Sequence, residues 1–155
     1  MTYRIRGLDP APYRPLFGMA DDELAARAIV RMTVTEKPSF PCRVTLEDRE
    51  IGEQVLLLNH VSHDVANPYR ASHAIFVMQG EIEAAEFIDE VPPVLDTRIL
   101  SLRGFDDQGM MAQAVLTRPG EADEGIRSLF ANTDVTPIHA HNATRGCFAA
   151  KIERN

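Results

Sequence analysis

The sequence predicts an α+β fold, a mainly antiparallel sheet of about six to eight strands with two helices. Three observations predict it. Several apolar or alternating segments have strand length, two turn-rich loops have the form of hairpin connections, and only two segments have helical spacing. A partly closed barrel is the alternative arrangement of the same strands. The length of 155 residues suits a single domain over residues 1–155.

The first third of the chain predicts a strand, a helix, a strand and a loop. Tyr3–Leu8 alternates polar and apolar residues, as a short strand does. Asp21–Ala28 has acidic residues in its first turn and good helix formers after them, with Asp21 as the expected cap. A second strand is expected at Ile29–Thr35. Prolines then predict a loop over Pro38–Glu53.

The middle of the chain predicts two central strands joined by a polar loop. Val55–Asn59 and His73–Met78 are continuous apolar runs of strand length, which is typical of strands covered on both faces. Four polar or aromatic side chains fall in the loop between them: His60, His63, Tyr69 and Arg70.

A hairpin and a helix are expected next. RILSLRGF and MMAQAVL flank DDQG, in which Gly109 supplies the positive φ of the turn. Pairing Leu102 with Ala112 gives one apolar face, made of Leu100, Leu102, Ala112, Ala114 and Leu116. Acidic residues followed by apolar residues at helical spacing predict a helix over Gly120–Phe130.

The segment IHAHNATRGCF predicts a last hairpin, with TPIHAH and GCFAAKI as arms and NATRG as the loop. In this register His141 lies opposite Cys147, and His139 lies opposite Ala149. Side-chain alternation then predicts a core face of Ile138, Ala140, Phe148, Ala150 and Ile152. The opposite face has His139, His141, Cys147 and Lys151.

Composition excludes two classes of partner. The formal charge of −7 and the absence of an apolar run of about 18 residues argue against nucleic acid and against a membrane span. The first residues lack the apolar core of a signal peptide, so we expect a cytoplasmic protein with both cysteines reduced. The oligomeric state is left open.

The last hairpin supports two kinds of chemistry. Imidazoles two positions apart on a strand point the same way, so His139 and His141 form a candidate site for a transition metal such as zinc. A third ligand would come from Cys147, His60, His63 or Cys42. Alternatively, His141 takes the proton of Cys147 and makes it a nucleophile, with Asn142 as a candidate to orient the base. Ordinary strand residues on a wet face are the simpler interpretation.

Arginines near these loops predict an anion site. Arg43 adjoins Cys42, Arg70 follows Tyr69, and Arg145 lies in the hairpin loop. The planar guanidinium matches a carboxylate or a phosphate, so their convergence would make a pocket for a small anionic ligand. Single arginines more often pair with surface acids.

Four segments carry a resemblance to a known family: EKPSFPCRVTLEDREIGEQVLLLN, NPYRASHAIFV, RILSLRGFDDQGMM and IHAHNATRGCFAAKIER. In this order they resemble the bacterial domain-of-unknown-function 1203 family over nearly the whole chain. The resemblance implies a small bacterial domain and directs attention to the P-C-R and H-x-H-N segments, but it implies no reaction, substrate or cofactor. His73 stands where this family is expected to have glycine, so it receives no site role.

Our first functional hypothesis is a site for a small anionic molecule between the Cys42 loop and the last hairpin. Cys147, His141 and Cys42 are its candidate catalytic residues. Its candidate ligand-binding residues are Arg43, Tyr69, Arg70, Asn142 and Arg145. The alternatives are a non-catalytic ligand-binding module, a protein-interaction module and a metal-binding protein that uses His139 and His141.

Overall fold

Eleven strands and four short helices make up the protein in a computed structural model that describes residues 1–155. The helices are α1 (Arg14–Phe17), α2 (Asp21–Ala25), α3 (Pro93–Asp96) and α4 (Ala122–Phe130). The strands are β1 (Tyr3–Arg6), β2 (Val30–Thr33), β3 (Pro41–Cys42), β4 (Glu47–Asp48), β5 (Gln54–His63), β6 (Ala71–Met78), β7 (Glu86–Ile88), β8 (Leu100–Phe105), β9 (Met111–Thr117), β10 (Pro137–Asn142) and β11 (Phe148–Arg154). The α+β class is confirmed.

The strands form two open sheets. A six-stranded sheet has the order β7-β1-β11-β10-β8-β9, and a five-stranded sheet has the order β2-β5-β6-β3-β4. Only β3 and β6 pair in parallel. Four edge strands remain, so the partly closed barrel is wrong. The expected strand and helix counts were too low because β3, β4, α1 and α3 have only two to four residues each, too few for a periodic pattern.

The larger core lies on one face of the six-stranded sheet, where α4 packs. Ile126 and Leu129 of α4 belong to the same buried cluster as Leu102 and Ile138 of the strands. Gly125 allows this close approach, because a Cβ at that position would lie 2.5 Å from a methyl carbon of Thr117. Helical spacing thus identified the helix and its buried face correctly, although α4 begins at Ala122 rather than Gly120.

The five-stranded sheet has two different faces. Leu56, Leu58, Ile75 and Val77 share one face and form a second core together with Leu24 of α2. Alternation along β5 and β6 puts Leu57, Ala74 and Phe76 on the opposite face. This opposite face borders a cavity.

The helix expected at Asp21–Ala28, which is α2, is shorter than expected and is capped by a different residue. α2 ends at Ala25, and its N-cap is Ala20, whose backbone N–H donates to Glu23 at 3.0 Å. Asp21 is therefore the first helical residue and not the cap. The strand expected after this helix is present as β2, and the loop predicted over residues 38–53 contains the short strands β3 and β4.

The predicted register of the β8–β9 hairpin is wrong. Leu102 pairs with Val115 instead of Ala112, and Leu116 is 68% exposed. The pairing shifts between Gly104 and Phe105, which indicates a β-bulge. Gly109 does supply the positive φ of the turn, with a φ of 75°.

The β10–β11 hairpin also departs from the predicted register. Ala140 pairs with Ala150, but His141 pairs with Phe148, so Ala149 is an extra residue in β11. His139 pairs with Lys151 and not with Ala149. Because a bulge inverts the alternation beyond it, Phe148 leaves the predicted core face and joins the face of the histidines.

No helix of the protein is long and apolar enough to cross a membrane.

Candidate functional site

A cavity of about 660 Å³ lies between the outer face of the five-stranded sheet and the turn that joins β10 to β11. Leu57, Ala74 and Phe76 line it from the sheet, and Asn142 and Cys147 line it from the turn. Its volume is within the roughly 300–1,000 Å³ typical of small-molecule sites. The sequence predicted a site in this place, between the Cys42 loop and the last hairpin.

Arg43 is the most buried charged group of this cavity. It directly follows β3, where its backbone N–H donates to the Phe76 carbonyl at 3.0 Å and prolongs the parallel pairing. Its side chain crosses to the other sheet: Nε donates to the carbonyl of Phe148 at 2.7 Å, and Nη1 donates to the carbonyl of Pro41 at 2.6 Å. The residue is only 3% exposed and forms no salt bridge.

Burial determines the electrostatics of Arg43. Loss of water around the guanidinium lowers its pKa, while the thiols of Cys147 and Cys42 act in the opposite direction. An arginine remains protonated even when it is buried, so Arg43 brings a positive charge to the cavity that no carboxylate neutralises.

Cys147 receives two hydrogen bonds at its sulfur. Nη2 of Arg43 donates to Sγ at 3.2 Å, and Nδ2 of Asn142 donates to Sγ at 3.4 Å. The turn that brings these groups together is closed by two backbone bonds, from Gly146 N–H to the Asn142 carbonyl and from Asn142 N–H to the Cys147 carbonyl. Gly146 has a φ of 79°, which favours glycine at that position.

His141 pairs with Phe148 and forms no hydrogen bond with Cys147, contrary to the predicted pairing. Its Nδ1 donates to the carbonyl of Gly146 at 3.0 Å, and its ring lies against Phe148 and His73. The turn is the physical cause, because the Asn142 N–H donates to the Cys147 carbonyl and His141 then pairs with Phe148. No histidine forms a hydrogen bond with the thiol, so His141 is not positioned as its base.

Two further cationic side chains and one acid line the cavity. Arg98 is neutralised, since Nη1 and Nη2 donate to the carboxylate of Asp48 at 3.0 and 2.6 Å. Arg145 is exposed and forms no side-chain hydrogen bond or salt bridge. Glu36 is the acidic residue that lines the cavity. The uncompensated charges therefore favour an anion locally, although the whole chain has a formal charge of −7.

Cys42, the other candidate nucleophile, is part of the second hydrophobic core. It is fully buried, and its sulfur accepts a hydrogen bond from the Met78 backbone N–H at 3.2 Å. The void next to it has a volume of about 10 Å³, which is space for about one water molecule. Its position therefore fits a structural thiol better than a reacting one.

All five histidines of the chain gather where the two sheets meet. The ring centroids of His63 and His139 are 5.1 Å apart, and those of His73 and His141 are 4.8 Å apart. His60 is the cross-strand partner of His73 and lies 5.5 Å from the Phe148 ring. β5 extends to His63, so His60 and His63 lie on a strand and not in the predicted loop.

The histidines of β10 are held in their neutral form. Burial, together with the positive charges of neighbouring histidines, Lys151 and Arg103, lowers the pKa of His139 to about 3. Burial and Arg103 lower the pKa of His141 to about 4, although the bond to Gly146 acts in the other direction. Nδ1 of His139 is buried without a hydrogen-bond partner.

The predicted metal site has no support in this geometry. No group of three or more histidine, cysteine, aspartate or glutamate side chains is arranged to hold a metal ion. His139 and His141 face the aromatic and imidazole rings of the sheet interface, and the pair stays without a third ligand.

Tyr69 and Arg70 lie away from the cavity. Both belong to the connection between β5 and β6, where Arg70 is exposed and paired with Asp64, and the Tyr69 ring lies 6.3 Å from the Phe105 ring. The apolar cavity wall around Phe76 could not be predicted from the sequence, because an apolar strand residue shows the same pattern in a core and in a ligand site.

Comparison with known proteins gives one match. Residues 39–154 match the model of a family described as "Protein of unknown function (DUF1203)". The matched range contains the polar cavity residues Arg43, Arg98, Asn142, Arg145 and Cys147. No curated protein and no solved structure matches the chain.

Proposed function

The chain belongs to the domain-of-unknown-function 1203 family, whose description assigns no reaction, and we propose from the site geometry that its cavity binds a small anionic molecule. The observation that carries this proposal is the buried guanidinium of Arg43, which lines the cavity and has no carboxylate partner.

Burial of a charge without a counter-charge lowers the stability of the folded protein. We therefore expect a bound group to offset the cost of burying Arg43. Its three hydrogen-bond acceptors are two carbonyl groups and one thiol, all formally neutral. A guanidinium has five N–H donors, so about two remain for a further acceptor. A carboxylate or phosphate in the cavity would supply both the acceptor and the missing negative charge.

Arg145 is the second cation of the proposed site. It lies on the turn that also carries Asn142 and Cys147, and it is free of side-chain partners. Arg98 contributes less, because Asp48 already neutralises it. Tyr69 and Arg70 are left out of the proposed site because they do not line the cavity.

Cys147 is the group of this site that is equipped for chemistry. Its sulfur is partly exposed at the cavity and accepts hydrogen bonds from Arg43 and Asn142. Arg43 and Asn142, and not His141, form the hydrogen bonds to this thiol. A bound anion would then lie beside a reactive thiol.

Binding of small anions tests the proposal directly. We expect phosphate, sulfate or acetate to raise the melting temperature above that in chloride of equal ionic strength, because a ligand that binds only the folded state stabilises it. Arg145→Ala should weaken anion affinity roughly tenfold, since about 1.4 kcal/mol of one charged contact is lost. Glu36→Gln should strengthen it, because a repulsive charge is removed.

Arg70→Ala is the matched control, since Arg70 is also an exposed arginine but lies outside the cavity. It should leave anion affinity unchanged. Equal losses of anion affinity in the Arg145 and Arg70 variants would mean that the anions respond to the overall surface charge and not to this cavity. The absence of any anion-dependent rise in melting temperature would refute the proposed site.

A further inference from the structure

One wall of the cavity is made of apolar side chains, in contrast to the arginines that line the rest. Leu57 and Phe76 are cross-strand neighbours on β5 and β6, and both are half-buried. The ring of Phe40 lies 5.0 Å from that of Phe76, and Met32 of β2 packs against the same small cluster. All four side chains line the cavity.

This wall is separate from the hydrophobic core of the same sheet. Leu56, Leu58, Ile75 and Val77 fill the core on the other face, whereas the cavity side has only the small cluster of Val34, Phe40 and Val55, against which Met32 and Phe76 pack. Leu57 and Phe76 therefore present apolar surface to an open space, where contact with water is unfavourable.

The polar groups that line the cavity come from elements other than β5 and β6. Arg43 follows β3, Asn142 ends β10, and Arg145 and Cys147 belong to the turn between β10 and β11. An inorganic ion bound to these groups would fill only a small part of a cavity of about 660 Å³. The remaining space borders Phe76, Leu57 and Met32.

We propose that the ligand is an organic anion, a carboxylate or a phosphate monoester attached to an aromatic or aliphatic body. The anionic group binds Arg43 and Arg145, and the body lies against Phe76 and Leu57. This inference rests on the proposed function and adds to it the chemical class of the ligand. A few polar groups in a mainly apolar cavity are the usual composition of small-molecule sites.

Matched pairs of anions separate this inference from the binding of ions alone. Calorimetry should show that phenyl phosphate binds at least roughly tenfold more tightly than inorganic phosphate, and benzoate more tightly than acetate, because only the larger member of each pair buries the apolar wall. Equal affinities within both pairs would overturn the inference and leave the anion site intact. No binding of any of the four would overturn the proposed function as well.

A substitution that fills the apolar part gives a second test. Ala74 is exposed and lines the cavity on the same face as Phe76, so Ala74→Trp occupies the space of the ligand body without entering the core. We expect it to remove the advantage of phenyl phosphate and to leave the affinity for inorganic phosphate unchanged. Ser72→Trp is the control, because Ser72 is exposed two positions earlier on β6 and does not line the cavity. If both variants keep the full preference for phenyl phosphate, the body does not bind at this wall and the inference is overturned.

Discussion

The two cysteines of this chain have opposite surroundings. Cys42 is fully buried in a hydrophobic cluster, whereas Cys147 is partly exposed at the cavity and receives hydrogen bonds from Arg43 and Asn142. Thiol reactivity depends on access and on stabilisation of the thiolate. The local environments therefore assign different behaviour to two residues that the sequence cannot distinguish.

We predict that iodoacetamide alkylates Cys147 near neutral pH in the folded protein and leaves Cys42 unmodified. Peptide mapping by mass spectrometry measures both sites in one sample. Asn142→Ala should slow the reaction of Cys147 several-fold, because one donor to the sulfur is lost. Thr144→Ala, on the same turn but without a bond to the thiol, should not slow it. Modification of Cys147 only after unfolding would show that it is a structural cysteine.

At the scale of single residues, the sequence predicted much of what surrounds the cavity. Arg43, Asn142, Arg145 and Cys147 were all selected for their chemistry, and all four line it. The role expected for His141 depended on the exact strand register. Asn142 bonds to Cys147 instead of lying in the loop, so the partner of His141 is Phe148 and not Cys147. The pairing of Arg98 with Asp48 joins residues 50 positions apart, which no local pattern reveals.

At the scale of elements, the sequence predicted which segments are strands better than how they pair. Both C-terminal hairpins were expected as regular ladders, and both contain a register shift, at Gly104/Phe105 and at Ala140/His141. A bulge changes the phase of the alternation beyond it, as at Phe148, but in β8–β9 the pairs on both sides of the shift also differ from the predicted register. Sequence patterns therefore identified the two arms of each hairpin but not which residues pair across them.

The site also depends on a close crossing of backbones near Gly7. The segment after β1 runs beside the one after β3, where Leu8 N–H donates to the Arg43 carbonyl at 2.8 Å. A Cβ at Gly7 would lie 1.9 Å from the carbonyl oxygen of Val44, a backbone atom that cannot rotate away. This crossing holds the backbone of Arg43 and Val44 in place.

We predict that Gly7→Ala lowers the free energy of unfolding by about 3 kcal/mol, because the backbones must separate to admit a methyl group. Urea denaturation measures this change. Gly18→Ala is the control: its added Cβ has no atom within 4 Å and its φ of −88° suits any residue, so its effect should stay within about 1 kcal/mol. Similar stabilities for the two variants would mean that the crossing is looser than the structure shows.

At the scale of the whole molecule, the two sheets are joined through histidines. His139 and His141 of the six-stranded sheet meet His63 and His73 of the five-stranded sheet, with Phe148 packed among them. Burial keeps the pKa of His60 and His73 below its ordinary value as well. Neutral imidazoles can pack in this way, but protonated ones would place several positive charges together, next to Arg103, Arg43 and Lys151.

Stability should therefore fall on mild acidification. An unfolded histidine takes up a proton as the pH falls below its ordinary pKa of about 6.5, whereas folded His139 and His141 do so only near pH 3 and 4. Between these values the unfolded state binds more protons, so stability is full above about pH 6.5 and is lost as the pH falls. For the two residues we expect a loss on the order of 2–4 kcal/mol between pH 7 and pH 5.

His139→Leu provides the decisive comparison, because the side chain of His139 forms no hydrogen bond and its Nδ1 is buried without a partner. The variant should be at least as stable as the native protein at pH 7, since an unsatisfied polar group is replaced by an apolar one of similar size. Urea denaturation at pH 7 and pH 5 should show a smaller acid-induced loss in the variant, by about 1–2 kcal/mol for one titrating group. Between pH 7 and pH 8 neither protein should change through its histidines. If the native protein and the variant lose equal stability at pH 5, then His139 does not drive the acid sensitivity of the sheet interface.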